Sequence, residues 1–574
     1  MVEARGPVLL DGYAAKRCAV RIQNDFHPLV PKIPWQPSPE VQARLDAGNA
    51  FEGRVVELLL SLGNGAVLID PDLRSAEAIV ATTAAMDAGV PLILGGRLPD
   101  DISGGRTGKP DILIRWGEGY LPGDVKWHVT MDRKAKACAM VSRLEAPVDR
   151  IELPGWSSAT SKRFDDGLQL AHYTRMLQAC RRHGGPLLGA IIGTREVEVE
   201  PGEQPALVFT WHDLDEPTRK TYSRSEGSKK RSLLECYDHE HGFRRRVVET
   251  VLRITGGADD PEPLVAPVGQ EDCESCPYNE WCAEQMGDDD PSALLTRGRL
   301  SPREYLALRR MGIDTTASLS AVDTDDPGFF DTYFAEVSNF GRKEARTRLD
   351  GAIRRAQMIC DGIEIVRDGA GPVEVPSADV EIDVDIENDA NNLVYMWGIR
   401  VREGHDESTA RYMSDFTAWE PLDHTAEREL ARRFVAWLRE QCATAAQAGR
   451  TVRVFHWSGH EVSNLRRILG LEEVGDLIHR ETGVFTDLMR VFESNFFSLH
   501  GSKLKRVARL FGFEWAVDDP GGGVSQLRLA TVHTGPPDAA AAAREWLLTY
   551  NEGDTTATAV VRDGMRNWPV GPSA

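Results

Sequence analysis

The sequence predicts a multidomain α/β protein, and three observations carry that expectation. At 574 residues the chain is too long for one compact core, so two or three domains are expected. Helical and strand-like patterns follow one another along most of its length. Two stretches break them, "AEQMGDDDPSA" and "RDGAGPVEVPSAD" near 367–379, both with the residue types of linkers. They divide the chain into about 1–288, 289–370 and 376–574.

In the first segment "FEGRVVELLLSLG" has helical spacing, and "PDILIR", "GDVKW" and "LLGAIIG" read as strands. "DGLQLAHYTRMLQAC" is helical, with apolar residues at three- and four-residue steps. The middle segment, "SPREYLALRRMGIDTTASLSAV", reads as helix, Gly-containing turn and helix, with Ser301, Pro302 and Glu304 making a good helix start. It is either a plain helical linker or a helix-hairpin-helix contact to DNA. The third segment opens on the alternating strand pattern "ADVEIDVDIEND", continues through the strand "RVFHW", and ends in helices. "AAAAA" at 539–543 begins the last of these, which contains "REWLLTYNEGDTTATAVV". No internal repeat is present.

Hydrophobic residues make up 41% and charged residues 27%, the balance of a globular protein rather than a disordered one. No apolar run reaches about 18 residues, so no membrane span is expected. The N-terminus lacks a basic region followed by an apolar one, so no signal peptide is expected. Nine scattered cysteines do not make a secreted disulfide framework; a reducing cytoplasm with a metal or cluster site is the expectation. A net charge of −21 argues against a passive nucleic-acid coat, which would be basic. It leaves room for a nuclease, which gathers carboxylates at metal ions and confines cations to a groove. "SRSEGSKKRS" followed by "FRRRVVETVLR" suits such a groove, or else a solvated loop and helix face. No G-x-x-x-x-G-K-[ST] is present, so a helicase motor would have to come from a partner.

The first candidate site lies around "KPDILIR" and "GDVKW". Asp111 precedes one strand, and Asp124 and Lys126 lie two apart on the next, where i and i+2 share a face. Two carboxylates hold Mg²⁺ or Mn²⁺ through oxygen, and an ammonium beside them orients water or stabilises negative charge. An Asp–Lys pair on a solvated strand face is the alternative. Glu52, on the upstream helix, adds a third carboxylate. Gln169 and Tyr173, four apart on a helix, share one face. This order of Glu52, Asp111, Asp124, Lys126, Gln169 and Tyr173 resembles the RecB-type branch of the PD-(D/E)xK nucleases. The resemblance implies a restriction-endonuclease-like α/β fold and a phosphodiesterase. Many relatives carry a metal-binding histidine in the first motif, whereas this chain has Phe51 beside Glu52.

The stretch "DCESCPYNEWC" supplies three thiols, Cys273, Cys276 and Cys282, and "YAAKRCAVRIQND" supplies Cys18. Four thiolates suit Zn²⁺ or an iron–sulfur cluster, although structural zinc sites more often use two close pairs. One distant cysteine before a triplet resembles the iron–sulfur nucleases of the RecB group. That implies a [4Fe–4S] cluster stapling the two ends of the domain. Cys138, Cys180, Cys236, Cys360 and Cys442 show no ligand spacing and read as small apolar residues.

The second candidate site lies in the third segment. "VDIEN" puts Asp385 and Glu387 on one strand face, "HWSGHE" ends in Glu461, and "YNEGD" puts Tyr550 and Asp554 on one helix face. Four carboxylates from separated segments suit a two-metal centre. The ordered set resembles the DnaQ-like, ribonuclease-H-fold 3′–5′ exonucleases of the DEDDy type. The middle motif departs from them: His456, His460 and Glu461 stand where relatives read Asn-x-x-x-Phe-Asp. Asp487 is a candidate to compensate, and Lys503 and Lys505 in "GSKLKRVARLFGF" are candidate phosphate contacts. Together the two resemblances imply a metal-dependent nuclease acting on DNA at single strands or ends, in repair, recombination or defence. The alternatives are a non-catalytic nucleic-acid-binding scaffold and an RNA-processing exonuclease that uses the C-terminal site.

Overall fold

The computed structural model describes residues 6–223, 226–295, 300–323, 325–337, 341–369, 371–518 and 521–569. Arg224 and Ser225 of the basic stretch, and Ala370 of the second linker, lie outside the described residues. The chain forms two compact units, Met1–Ala352 and Ile353–Ala574, the division falling inside the helix Arg342–Asp361. No helix among the described residues is long and apolar enough to cross a membrane.

The first unit is built on one mixed sheet of eight strands. They are β1 (Ala66–Leu68), β2 (Leu92–Leu94), β3 (Ile112–Trp116), β4 (Gly119–Val125), β5 (Asp132–Arg143), β6 (Ile151–Ser157), β7 (Leu188–Ile192) and β8 (Val208–Asp213). Their spatial order is β1-β2-β3-β4-β7-β8-β5-β6. β1 and β2 are parallel, as are β4 and β7; the other neighbours are antiparallel. Helices cover both faces at the centre, which is why "DILI" is apolar without alternation. Ile112 and Ile114 pack toward Phe51, Val55 and Leu59 of the helix Pro39–Ser61. Leu113 points the other way, toward Tyr173, Met176 and Leu177 of the helix Arg163–Ala179. Lys126 lies one residue past the end of β4 rather than within it, yet its backbone N–H still bonds the Ile192 carbonyl at 2.9 Å.

The basic stretch forms an exposed hairpin, β9 (Arg219–Ser223) with β10 (Gly227–Arg231), and then the helix Leu233–Val251. Ser232 and Glu235 cap that helix reciprocally. Within it Arg245 pairs with Glu249 at 2.8 Å and Arg244 pairs with Glu240, so these arginines are neutralised along their own helix. Ser301 and Glu304 form the expected capping box at the start of the helix Pro302–Arg310.

The second unit carries β11 (Ile365–Arg367), β12 (Val380–Asn388), β13 (Val394–Glu403), β14 (Asp406–Thr417), β15 (Val452–His456), β16 (Phe485–Asp487) and β17 (Phe496–Ser498). Five of them form a sheet in the order β14-β13-β12-β15-β16, while β11 pairs with β17. β12, β13 and β14 run antiparallel to one another in turn, β15 pairs in parallel with β12, and β16 pairs in parallel with β15. The alternation of β12 decides what each face does. Val380, Ile382, Val384 and Ile386 enter a core with Leu430, Phe434 and Leu438 of the helix His424–Gln447, where Trp397 stacks on Phe434 at 4.7 Å.

The other face of β12 is wholly acidic: Glu381, Asp383, Asp385 and Glu387. Its first half is neutralised. Arg562, from the helix Pro537–Arg566, reaches Glu381 at 3.2 Å and pairs with Asp383; Arg402 reaches Glu381 at 2.6 Å and Asp563 at 2.5 Å; Arg566 reaches Glu381 at 2.7 Å. The second half, Asp385 and Glu387, has no arginine partner among the described residues and forms the floor of the site.

Candidate functional site

In the second unit, ligand atoms of Asp385, Glu387 and Asp554 all lie within 4.8 Å of one another. The first two come from β12 and the third from the helix Pro537–Arg566, which its arginines fasten across the same strand. Each carboxylate is held by a neutral donor. Asn551 Nδ2 donates to Asp385 Oδ2 at 2.9 Å, Ser525 Oγ to Glu387 Oε2 at 2.6 Å, and Trp515 Nε1 to Asp554 Oδ1 at 2.8 Å. Tyr412 fixes the Asn551 amide by donating to its Oδ1 at 2.8 Å. Burial and mutual repulsion raise all three acids. Burial, then Asp554, pushes Glu387 up to about 8; burial, then Asp554 and Glu387, holds Asp385 well above its usual range; burial raises Asp554. Stacking three buried negative groups is costly without a cation, and this donor set suits a hard divalent ion.

Lys505 stands at 3.8 Å from Asp554 and donates to the Tyr550 hydroxyl. Tyr550 is one turn before Asp554, as the Tyr-x-x-x-Asp spacing required. Lys503 is exposed, at the start of the helix Leu504–Leu510. Glu461 departs from the expected ligand set. Its carboxylate is not among the converging three and lies instead against the His456 ring, Oε2 to Nδ1 at 3.1 Å, with both side chains buried. Its charge still reaches Asp385 and helps raise it. Asp487 does not compensate. It caps the helix Leu488–Asn495, accepting from the Met489 and Arg490 N–H groups, and pairs with Arg490 at 3.2 Å. His460 binds Asn388 Oδ1 at 3.0 Å.

In the first unit, Asp111 and Asp124 meet at the ends of β3 and β4. Asp111 Oδ2 accepts the Val125 N–H at 2.8 Å. Asp124 is fully buried and faces the Lys126 ammonium at 2.5 Å from Oδ2. Burial, followed by the charge of Asp124, holds Asp111 well above the usual carboxylate range. Burial also pushes Asp124 upward, but the Lys126 ammonium outweighs it and leaves Asp124 lowered. Despite burial Lys126 is raised, chiefly by Asp124, so it stays an ammonium. Gln169 Oε1 accepts from Lys126 Nζ at 3.2 Å, and Gln169 Nε2 donates to the Tyr173 hydroxyl at 3.3 Å. Tyr173 in turn donates to the Lys109 carbonyl at 3.2 Å. Glu52 is raised by burial and then by the charge of Asp124. Among the described residues, however, no three acids of this site approach within 4.8 Å of one another.

The four thiols Cys18, Cys273, Cys276 and Cys282 line one cavity of about 230 Å³, with Arg21, Tyr278 and Asn279. All four are free thiols. Cys273, Cys276 and Cys282 are each raised, first by burial and then by neighbouring thiols, Cys282 to about 12. Asn24 points its amide at Cys282 Sγ, 3.7 Å away. No three of these sulfurs lie within 4.8 Å of one another.

Several residues at these sites carry no motif in the sequence. Ser525, Trp515 and Tyr412 come from helix, loop and strand far from the acids they support. Asn551 was adjacent to Tyr550 in "YNEGD", and its place next to a helix position facing β12 was the available signal. In the first unit Lys16 also reaches Gln169, from a segment whose only marked residue was Cys18.

A family model described as the RNase_H superfamily matches residues 383–566, from the buried Asp383 of β12 to Arg566 near the end of the last helix. The second unit therefore carries a ribonuclease-H-like domain. No curated protein and no solved structure matches the chain.

Proposed function

We propose that the protein is a metal-dependent nuclease that hydrolyses DNA phosphodiester bonds, acting as an exonuclease on single strands or ends. The observation that carries this reading is the convergence of Asp385, Glu387 and Asp554 inside the ribonuclease-H-like domain. These three would hold Mg²⁺ or Mn²⁺, which supplies an activated water and neutralises charge developing on the phosphate. The chain's own contribution is preorganisation: Asn551, Ser525 and Trp515 fix the carboxylate oxygens before any substrate arrives. Tyr550, facing the same acids, orients the water, and Lys505 keeps its hydroxyl turned inward. Glu461, tied to His456, contributes long-range charge rather than a ligand.

The first unit is a second nuclease site of the RecB-like PD-(D/E)xK type. Asp111 and Asp124, with Glu52, hold the metal; Lys126 stabilises negative charge on the transferring phosphate; Gln169 and Tyr173 keep Lys126 in place. Cys18, Cys273, Cys276 and Cys282 hold a [4Fe–4S] cluster that clasps the ends of this unit. Their common cavity supports that reading. The segment 289–370 serves as a helical connector. The reading implies a cytoplasmic protein in repair, recombination or defence, working with a separate helicase where duplex must be opened.

Labelled DNA and RNA single strands, blunt duplexes and Mg²⁺ or Mn²⁺ test the proposal, with Asp385→Asn/Glu387→Gln and Asp111→Asn/Lys126→Ala as paired variants. Loss of DNA cleavage in either pair supports the corresponding site. Cleavage of RNA alone, lost with Asp385 and Glu387, favours RNA processing. Nucleic-acid binding without cleavage in either metal overturns the enzyme reading. Anaerobically purified protein should be brown, with about four irons per chain; a colourless zinc protein overturns the cluster.

A further inference from the structure

One cation in the first unit has no role in the constellation above. Lys16 comes from the segment between Leu10 and Cys18, not from the strands and helix that carry the other site residues. Its Nζ donates to Gln169 Oε1 at 3.2 Å, the same oxygen that accepts from Lys126 at 3.2 Å. Gln169 is locked in that orientation, because its amide nitrogen is engaged by Tyr173 and Tyr173 by the Lys109 carbonyl. The segment is packed tightly on this network: a Cβ added to Gly12 would lie 3.2 Å from the Tyr173 hydroxyl.

The charge balance around Lys16 is unusual. Its contacts are a neutral amide oxygen and the ring of Tyr13, whose centroid lies 4.5 Å from Nζ. Among the described residues no carboxylate is within ion-pair distance of it, and Asp124 is already engaged by Lys126. Two ammoniums sharing one neutral oxygen repel each other, and the carboxylates that act on Lys16, Asp124, Asp165 and Asp166, do so from beyond contact, which leaves a partly buried cation weakly compensated. Such an arrangement is completed by an anion with several acceptor oxygens placed between the two donors.

We propose that Lys16 is a phosphate-binding residue of this site, its ammonium taking a non-bridging oxygen of the bound strand while Lys126 serves the reacting phosphate. The proposal rests on the nuclease reading of Asp111, Asp124 and Lys126. It also gives the thiol cavity a consequence for that site. Lys16 lines both, and Cys18 stands two residues further on.

The test uses the full chain and a fluorescein-labelled single-stranded DNA oligonucleotide, in an Asp385→Asn/Glu387→Gln background that silences the other unit. Lys16→Gln should weaken binding about tenfold on all sequences and make the salt dependence shallower by about 0.7–1 in log–log slope. Its loss in cleavage should appear in KM, with kcat within a few-fold of the parent. Lys16→Arg should restore most of the binding. A Lys16→Gln protein that binds and cleaves like the parent overturns the proposal, as does a loss confined to kcat. Asp124→Asn separates the two claims, since it should bind the strand and not cut it. If Asp124→Asn cuts normally, the nuclease reading of this site fails, and Lys16 is judged on binding alone.

Discussion

Gly398 stands opposite Asp385 in the antiparallel register of β12 and β13, and the space its missing side chain leaves is filled by the carboxamide of Asn551. That carboxamide is the donor to Asp385. Gly398→Ala would put a methyl group where the amide lies and push it off the acid. The expected result is a fall of about 10–100-fold in metal affinity or activity of the second unit, the usual effect of losing a ligand's supporting hydrogen bond. Asn551→Ala should reproduce it. Isothermal titration with Mn²⁺ measures it, and unchanged affinity in both variants would show that Asn551 does not position the ligand.

Clustered acids at the same site predict a cation-dependent stability. Divalent ion at about 100 times its dissociation constant should stabilise the protein by about 2.7 kcal/mol through linkage. Asp554→Asn should abolish that increment while raising the stability of the metal-free protein, because it removes one of three mutually repelling groups. Thermal melts with and without Mn²⁺ in both proteins check the two directions together.

The arginines over Glu381 and Asp383 predict a different response. Arg562→Met would leave two fully buried carboxylates short of their main counter-charge and should cost about 3–5 kcal/mol. Adding Glu381→Gln and Asp383→Asn to that variant should return much of the loss. Urea denaturation gives the comparison; a wild-type midpoint for Arg562→Met would mean that the helix is not fastened through these pairs.

Buried histidines contribute to the acid response of the first unit, among them His172, His212 and His241, the last held down to about 3 by burial. Burial holds His172 down at about 4 and His212 down at about 4, against an ordinary value of 6.5. The unfolded chain therefore binds more protons than the folded one between about 6.5 and 4, and stability falls as pH drops through that window. Each histidine contributes a loss of about 3 kcal/mol at the bottom of it. His212→Phe should flatten the profile measured by denaturation at pH 7 and pH 4.5.

Much of this architecture was legible because its signals are local. The alternation of "VEIDVDIEN" gave both the strand and its acidic face, and the four-residue step from Tyr550 to Asp554 gave the helix face that meets it. Asp111, Asp124 and Lys126 were legible for the same reason, although Lys126 continues the strand's geometry beyond the strand's end. Glu461 lies outside the three converging acids, and the sequence cannot show that His456, five residues earlier, holds its carboxylate. Asp487 was open to misreading because an acid before a helix serves equally as a cap or as a ligand. The division of β12 into a neutralised half and a free half depends on Arg402, Arg562 and Arg566, which only the packing of helix against sheet brings there. Ser525, Trp515 and Lys16 act across long stretches of chain, and nothing in their neighbours marks them.

The shared cavity of Cys18 and the downstream triplet bears on how the polypeptide is made. Cys18 leaves the ribosome roughly 250 residues before Cys273, an interval on the order of 10–50 s at ordinary translation speed. Until then the amino-terminal segment has no partner thiols, although Gln169 is already there for Lys16 and Val248 for Leu10, Ala14 and Ile22. The thiol cavity therefore closes late in synthesis, onto a segment that the helix Leu233–Val251 can already hold in place.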